Sequence, residues 1–108
     1  MEFRDASFSY GDQATALNGI NFQLAAGKIL GLLGRTGSGK STIARLLLRL
    51  YDPASGQILL GGAPTGATKL SELTRRVGLV PQEVQVFGAT VRENFTLFDP
   101  SIYDEKIL

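Results

Sequence analysis

A glycine-rich segment between Gly34 and Thr42 carries the residue types and the spacing of a phosphate-binding loop. Its sequence, GRTGSGKST, fits the P-loop pattern G-x-x-x-x-G-K-[ST]. Glycines allow a tight turn that brings backbone N–H groups close to phosphate oxygens. We expect Lys40 to supply a positive charge for the β- and γ-phosphates, and the Ser41 hydroxyl to ligate Mg²⁺. The predicted binding residues of this loop are Gly34, Thr36, Gly37, Ser38, Gly39, Lys40, Ser41 and Thr42.

The segments on either side of the loop predict the elements that must position it. Residues 29–33 (ILGLL) form a short apolar run, which is typical of a strand covered on both faces in a parallel sheet. After the loop, apolar residues recur at helical spacing and predict one helix face: Ile43, Leu46, Leu47 and Leu50. We expect this helix to stop at Tyr51, because the next residue precedes Pro53 and therefore disfavours helical geometry. If the segment were only a glycine-rich surface turn, neither the apolar run before it nor the helical pattern after it would be explained.

Length and composition are those of one small globular domain. The chain has 108 residues, of which 44% are hydrophobic, and a formal net charge of +1. This charge balance argues against a dedicated nucleic-acid binder, so no nucleic-acid partner is expected. Cysteine and histidine are both absent, which excludes disulfides, thiolate metal sites and histidine bases. No apolar run approaches the ~20 residues that span a bilayer, and the acidic, mixed first residues do not predict a signal peptide.

Alternating apolar residues predict an antiparallel β layer ahead of the loop. A first strand would present Ala6, Phe8 and Tyr10 on one face, and a second, between Ile20 and Leu24, alternates in the same way. Three further elements are predicted: a strand at 57–60, a short helix at 70–75 and a strand at 77–80. The predicted fold class is α/β, with a P-loop NTPase core of parallel strand, loop and helix behind an antiparallel layer at the N-terminus.

Two capping boxes mark the C-terminal part of the chain. Residues 90–93 (TVRE) fit the pattern, and residues 101–104 (SIYD) fit it if aspartate is allowed at the last position. The second box would start a helix near Ile102 and leave it only the residues 102–108, too few for a stable isolated helix. We therefore expect an incomplete domain whose last element continues beyond Leu108.

Three segments carry a resemblance to a known family. They are residues 8–10 (FSY), residues 52–58 (DPASGQI), and residues 80–83 (VPQE) with the segment 86–94 (VFGATVREN). With the loop, they resemble the A-loop, the turn after the P-loop helix and the Q-loop of ABC transporter nucleotide-binding domains, most like those of exporters. The resemblance covers nearly the whole chain. It implies an ATPase domain that binds ATP and Mg²⁺ and couples ATP binding and hydrolysis to transmembrane export.

Tyr10 and Gln82 join the candidate site because of this resemblance. A tyrosine ring offers a flat face to adenine, and base stacking of this kind is worth roughly 1–3 kcal/mol. The alternative for Tyr10 is a strand-end tyrosine that covers the core. The Gln82 amide could ligate Mg²⁺ and hold a water, and in the family this position senses both. Without the family pattern, Gln82 would be an ordinary polar residue after Pro81. The predicted metal ligands are Ser41 and Gln82, and Gln82 is the one candidate for a catalytic role.

The resemblance also implies partners and a location. ATP, a second nucleotide-binding domain and a transmembrane domain are expected, the last bound through the region around Gln82 to Asn94. The expected location is the cytoplasmic side of a membrane, as part of a transporter. Phe87, Phe95 and Phe98 leave two interpretations open: they pack as the core of a small helical layer, or they line the groove where a coupling helix docks.

Several catalytic motifs of the family do not occur in this sequence. There is no LSGGQ signature, no histidine and no apolar strand that ends in an Asp-Glu pair; the only such pair, Asp104-Glu105, follows Ser-Ile-Tyr. Hydrolysis needs a carboxylate that positions water and an aspartate that helps to hold Mg²⁺. We therefore expect that this chain alone does not hydrolyse ATP. The expected organisation is one N-terminal fragment over 1–108, with the β layer and core at about 1–80 and the Q-loop and the start of a helical subdomain at about 81–108.

Three alternative functions are compatible with the loop. The chain could be a nucleotide-binding fragment or degenerate module without turnover, which the sequence leaves open. It could belong to an ABC-type ATPase outside transport, although residues 81–94 look more like an exporter. A small-molecule kinase is the third alternative, but no basic cluster suggests the lid or acceptor site that a kinase needs.

Overall fold

The computed structural model describes residues 1–83 and 85–106, and the chain divides into two compact units. The first unit is Met1–Gly78 and contains all four strands of the described sheet. The second unit is Leu79–Leu108, and its described residues contain one short α-helix. The side chain of Asp104 and the whole of Val84, Ile107 and Leu108 lie outside the description.

A four-stranded antiparallel sheet forms the framework of the first unit. Its strands, in the spatial order β2-β1-β3-β4, are β1 (Glu2–Ser9), β2 (Thr15–Gln23), β3 (Ser55–Leu60) and β4 (Ala63–Pro64). β1 pairs with β2, where Phe8 lies opposite Leu17, and with β3, where Phe3 lies opposite Ile58. The sheet confirms the predicted antiparallel layer at the N-terminus.

A bulge at Asp5 explains why β1 alternates only towards its end. Phe3, Ala6 and Phe8 are all buried, although strict alternation would turn Phe3 and Ala6 to opposite faces. The register of β1 against β2 shifts between these two residues, and Asp5 has a φ of 47°. The side chain of Asn21 holds the bulge, because it accepts the Asp5 N–H at 2.9 Å and donates to Asp5 Oδ1 at 2.8 Å.

The hydrophobic core of the first unit joins helix α1 (Lys40–Leu47) to the sheet. Leu46, on α1, is only 1% exposed and lies in one cluster with apolar residues of β1, β2 and β3. The members of this cluster are Phe3, Ala6, Phe8, Leu17, Leu46 and Ile58. Ile43 and Leu47 pack at its margin, so three residues of the predicted apolar face do point into the core, whereas the fourth, Leu50, is 63% exposed.

Helix α1 ends one turn earlier than predicted, at Leu47 instead of Tyr51. Arg49 adopts a φ of 56°, in the left-handed region, which a right-handed helix cannot continue. The Arg49 guanidinium then ties down the turn, since it donates to the Thr68 carbonyl at 2.7 Å and to Asp52 Oδ1 at 3.2 Å. The prediction based on Pro53 is therefore wrong about where the helix ends, because the chain already turns at Arg49.

A 3-10 turn at Thr65–Ala67 and helix α2 (Leu70–Arg76) follow β4. The helix confirms the prediction for residues 70–75. Its Leu73 is buried, and Arg76 pairs with Glu72 one turn away on the exposed side.

The two strands predicted at 29–33 and 77–80 are not formed. Both segments lack regular secondary structure, and Ile29 and Leu33 are each 98% exposed. A strand needs a hydrogen-bonded neighbour, and the sheet of the described residues is entirely antiparallel and offers no parallel partner to either segment. The loop and helix of the predicted core are therefore present, while its parallel strand is not.

The second unit contains helix α3 (Val91–Thr96), which begins with the predicted capping box. Thr90 Oγ1 accepts the Glu93 N–H at 3.2 Å, and Glu93 Oε2 accepts the Thr90 N–H at 2.8 Å. Ser101 does not cap the helix predicted near Ile102, because its N–H and hydroxyl donate to Asp99 Oδ1. Among the described residues that follow, only a 3-10 turn, Asp104–Lys106, forms; the Asp104 side chain and residues 107–108 of this prediction lie outside the description.

Candidate functional site

The phosphate-binding loop (residues 34–42) leads directly into helix α1. Gly37 has a φ of 82° and Gly39, the N-cap of α1, a φ of 94°, and both values lie in the region that favours glycine. A Cβ on Gly39 would also lie 2.7 Å from Leu17 Cδ2 on β2. Glycine at this position therefore lets the loop lie against the sheet before the helix starts.

The ammonium group of Lys40 lies against the carbonyl side of the loop. It donates to the Gly34 carbonyl, to the Arg35 carbonyl at 2.9 Å and to Ser38 Oγ at 3.2 Å. A Cβ on Gly34 would lie 2.5 Å from Ser38 Oγ and 3.7 Å from Lys40 Nζ, so the glycine keeps this position open. The structure thus brings together Gly34, Ser38 and Lys40, three of the predicted binding residues.

The start of α1 has the properties of an anion site. Among the described residues no side chain caps this end, because its N-cap is Gly39, and the first turn contains no acidic residue. The first N–H groups of a helix have no partner within the helix, and its dipole favours negative charge there. Ser41, in this first turn, is exposed. Within this loop and helix start, the residues therefore fit a phosphate group, with a positive charge, glycine backbone and a hydroxyl at one place.

Tyr10 connects the end of β1 to α1. Its hydroxyl oxygen lies 3.1 Å from Oγ1 of Thr42, which is buried, and accepts a hydrogen bond from Arg45 Nη1 at 3.0 Å. The Arg45 guanidinium carbon lies 5.9 Å from the centroid of the Tyr10 ring. Tyr10 and Thr42, which are 32 residues apart, are thus joined as two members of the predicted site.

Two aromatic neighbours pack against the half-buried ring of Tyr10. Phe8 and Tyr51 both meet it edge to face, with ring centroids at 4.8 Å and 5.3 Å and interplanar angles of 88°. The hydrogen bond with Thr42, and then that from Arg45, lower the pKa of Tyr10, because both bonds stabilise the phenolate. The ring is therefore fixed by packing and by its hydroxyl.

Sequence reasoning did not assign a role to Arg45 or Tyr51. The position of Arg45 three residues after Thr42 puts both on one face of α1, a signal that was available. Tyr10 contacts that face only because β1 packs against α1 in the folded chain. The contact between Tyr51 and Tyr10 likewise exists only in the folded chain.

Gln82 belongs to the second unit, where it is exposed in a bend after Pro81. Its role as a ligand of Mg²⁺ stays a prediction from the resemblance. The described part of the chain contains no group of three or more His, Cys, Asp or Glu side chains that could hold a metal ion.

The second unit carries an exposed apolar surface around α3. A cavity of about 370 Å³ is lined by Gln85, Val86, Ala89, Val91, Asn94 and Phe95. The Asn94 side chain shapes this surface, since it accepts the Phe87 N–H at 2.7 Å and donates to the Thr90 carbonyl at 2.9 Å. Phe87 and Phe98 pack edge to face at 5.6 Å, whereas Phe95 is mostly exposed. Phe87 and Phe98 are themselves 49% and 53% exposed, so none of the three is buried and both interpretations stay open.

Comparisons with known proteins agree with the fold. A protein-family model described as ABC transporter matches residues 17–107. CydC of Escherichia coli (strain K12), a glutathione/L-cysteine transport system ATP-binding/permease protein, is 41% identical over 108 residues, covering 99% of this chain and 19% of CydC. LktB of Mannheimia haemolytica, a leukotoxin translocation ATP-binding protein, is 36% identical over 109 residues, covering all of this chain and 15% of LktB.

A solved structure of an ABC exporter is also similar to this chain. The structure of a bacterial Atm1-family ABC exporter with ATP bound superposes with a TM-score of 0.88 at 35% identity, covering 96% of this chain and 18% of the exporter chain. The chain thus spans less than a fifth of the length of these relatives. Among residues 1–83 and 85–106, no helix has the length and apolar character needed to cross a membrane. The chain belongs to the ABC transporter family, as part of the ATP-binding domain of the exporter type.

Proposed function

We propose that this chain holds MgATP in an exporter-type ABC transporter whose ATP binding and hydrolysis drive transport across a membrane. The arrangement of Lys40 at the start of α1 carries this proposal. A flexible ammonium, an uncapped helix N-terminus and a glycine backbone meet there. Each favours negative charge, and together they favour a polyphosphate over a single carboxylate.

Each candidate residue has a task in this proposal. Lys40 and the loop N–H groups hold the β- and γ-phosphates, and Ser41 supplies its hydroxyl to Mg²⁺. Tyr10 offers its ring to adenine, and Gln82 supplies an amide oxygen to the metal. The bound Mg²⁺ would neutralise phosphate charge and orient the phosphate oxygens.

The sequence lacks several groups that ATP cleavage needs, and this supports a narrower role for the chain. Its sequence has no LSGGQ signature and no histidine, and no apolar strand in it ends in Asp-Glu. Phosphoryl transfer to water needs a residue that positions the water and acidic ligands for the metal. We infer that the chain contributes nucleotide binding, and that hydrolysis uses a second nucleotide-binding domain and further catalytic residues.

The exposed surface of the second unit supports a membrane partner. Val86, Val91 and Phe95 are each more than two-thirds exposed, side by side around one cavity. Clustered apolar side chains of this kind mark interaction sites. We propose that the region around Gln82 to Asn94 binds a transmembrane domain and that the chain works on the cytoplasmic side of the membrane.

Calorimetric titration of the full chain with MgATP tests the binding proposal. Replacing Lys40 by alanine should weaken binding roughly tenfold to hundredfold, as expected for a lost hydrogen bond to a charged group. Tyr10→Ala should weaken it less, by about fivefold, the lower end for base stacking. Lys69→Ala removes the same charge from an exposed position before α2 and should change nothing. Equal affinity in all four proteins would contradict the proposed site.

An assay of phosphate release separates the two candidate roles of the chain. No release above the Lys40→Ala background is expected if the chain only holds nucleotide. Release that disappears in Lys40→Ala would instead show that this chain cleaves ATP without the additional groups, and would overturn the narrower role.

A further inference from the structure

The hydroxyl of Tyr10 is held by two side chains from one face of α1. Thr42 Oγ1 lies 3.1 Å from it, and Arg45 Nη1 donates to it at 3.0 Å. Thr42 is buried and cannot move far, whereas Arg45 is exposed. Because these residues are three apart on α1, they reach the same hydroxyl from adjacent turns.

The backbone at Tyr10 would not fix the ring without these contacts. Tyr10 follows the last residue of β1, and Gly11, with a φ of 57°, begins a turn. A side chain at the end of a strand is free to change rotamer unless packing or a hydrogen bond selects one. Phe8 and Tyr51 restrict the ring by edge-to-face packing, and the hydroxyl bonds restrict its far end.

The helix that holds the hydroxyl is also the helix that holds the phosphates. Lys40 and Ser41 are in the first turn of α1, and Arg45 follows in the next. A ring anchored to α1 therefore keeps a constant distance from the phosphate-binding loop, whereas a ring anchored only to β1 would follow the strand. Adenine and the β- and γ-phosphates belong to one ligand, so this distance matters for affinity.

We propose that Arg45 is a positioning residue for nucleotide binding, which with Thr42 holds the Tyr10 ring in the orientation that receives the base. This proposal rests on the proposed function of the site. Arg45 acts through Tyr10 and makes no direct contribution to phosphate binding.

A comparison of two ligands distinguishes a positioning role of Arg45 from a general effect of its positive charge. Calorimetric titration of the full chain would use MgATP, which has a base, and magnesium tripolyphosphate, which has none. Arg45→Ala should weaken MgATP binding by about fivefold and leave tripolyphosphate binding within twofold of the unchanged chain. Arg75→Ala removes the same charge from the exposed side of α2 and should affect neither ligand. Equal weakening of both ligands by Arg45→Ala would overturn the proposal.

A double-mutant cycle tests whether Arg45 acts through the hydroxyl. Tyr10→Phe keeps the ring and removes the hydroxyl with both of its contacts, so it should weaken MgATP binding at least as much as Arg45→Ala does, and the double variant should lose no more than Tyr10→Phe alone. Additive losses would show an independent role for Arg45 and would contradict the proposal. If Lys40→Ala binds both ligands as tightly as the unchanged chain, the proposed function itself fails, which is a different result.

Ultraviolet titration of tyrosine tests the contact between Arg45 and the Tyr10 hydroxyl on which the proposal depends. The chain has three tyrosines, so the measurement uses a background with Tyr51→Phe and Tyr103→Phe, in which Tyr10 alone absorbs as phenolate. The Arg45→Ala change should raise the pKa of Tyr10, because a donor to the phenolate is lost. An unchanged titration curve would show that Arg45 does not engage the hydroxyl in solution.

Discussion

The hydroxyl oxygens of Tyr10 and Thr42 lie 3.1 Å apart, although the two residues are separated by 32 positions in the sequence. Tyr10 follows a strand of the antiparallel sheet, and Thr42 is in the first turn of the helix after the phosphate-binding loop. The bond therefore connects the two elements that the proposed site needs. Burial of Thr42 makes its hydroxyl a fixed anchor, so the end of β1 is held to the helix.

Gly56 allows β1 and β3 to approach closely, and its replacement by alanine should be strongly destabilising. A Cβ at this position would lie 2.2 Å from the Asp5 carbonyl oxygen and 2.4 Å from that of Arg4, and the φ of 75° is unfavourable for alanine. We expect Gly56→Ala to lower the free energy of unfolding by about 3 kcal/mol or more, measured by urea denaturation. The control is Gly66→Ala, where a Cβ meets nothing within 4 Å. Equal stability of the two variants would contradict the close approach of the strands.

Leu46 should be the residue of α1 that contributes most to stability. Its side chain is 1% exposed within the cluster of the sheet and helix, whereas Leu50, after the helix, is 63% exposed. Leu46→Ala should cost about 2–5 kcal/mol of unfolding free energy, and Leu50→Ala about 1 kcal/mol or less. Chemical denaturation followed by circular dichroism would measure both. A larger effect of Leu50→Ala would contradict the burial of Leu46 in this core.

The capping box of α3 should depend on pH. The Thr90 side chain, and then its N–H, hold the pKa of Glu93 below its usual value of 4.5. A carboxyl whose pKa is lowered on folding stabilises the folded state fully above its unfolded pKa, and this contribution is lost as the pH falls through the lowered folded pKa. Backbone chemical shifts of α3 should therefore show more helix in the unchanged chain than in Glu93→Ala at pH 7, and this difference should shrink at pH 3.

A second variant controls for the loss of a negative charge in the measurement on Glu93→Ala. Glu105→Ala removes a carboxylate from an exposed position and should leave the shifts of α3 unchanged at both pH values. A difference between Glu93→Ala and the unchanged chain that is the same at pH 3 and pH 7 would rule out the carboxylate as its source.

The apolar segment at 29–33 should limit the solubility of the chain. Ile29 and Leu33 are each 98% exposed, and exposed apolar side chains in an unpaired segment favour association. The double change Ile29→Ser with Leu33→Ser should raise the concentration at which the chain stays monodisperse in sedimentation velocity. The same number of changes at exposed polar positions, Gln13→Ser with Asn18→Ser, serves as control. No gain over this control would count against the segment as the cause.

Local patterns predicted the parts of the fold that depend on neighbouring residues. The helical spacing of Leu46 identified a core position, and the Thr90 capping box was confirmed hydrogen bond by hydrogen bond. Both features are determined within one or two turns of chain. The bulge at Asp5 was not predicted, because it depends on the side chain of Asn21 from the neighbouring strand.

The strand prediction that failed at 29–33 depends on partners elsewhere in the fold. The apolar run at 29–33 has the composition of a buried strand, but a strand forms only beside another, and the described sheet does not provide one. In the candidate site, the spacing of the loop was enough to predict roles for Lys40 and Ser41. It could not identify Arg45, whose contact with Tyr10 exists only after β1 and α1 pack together.

The glycine at the start of α1 has a consequence for how the chain could be assayed. A helix whose N-cap is Gly39 lacks a capping side chain of its own, so an anion held at that end takes the place of a cap. By mass action, a ligand that binds only the folded chain raises its stability by RT ln(1 + [L]/Kd). The thermal midpoint of unfolding should therefore follow ligand concentration, so that melting curves alone can rank candidate nucleotides without any measurement of catalysis.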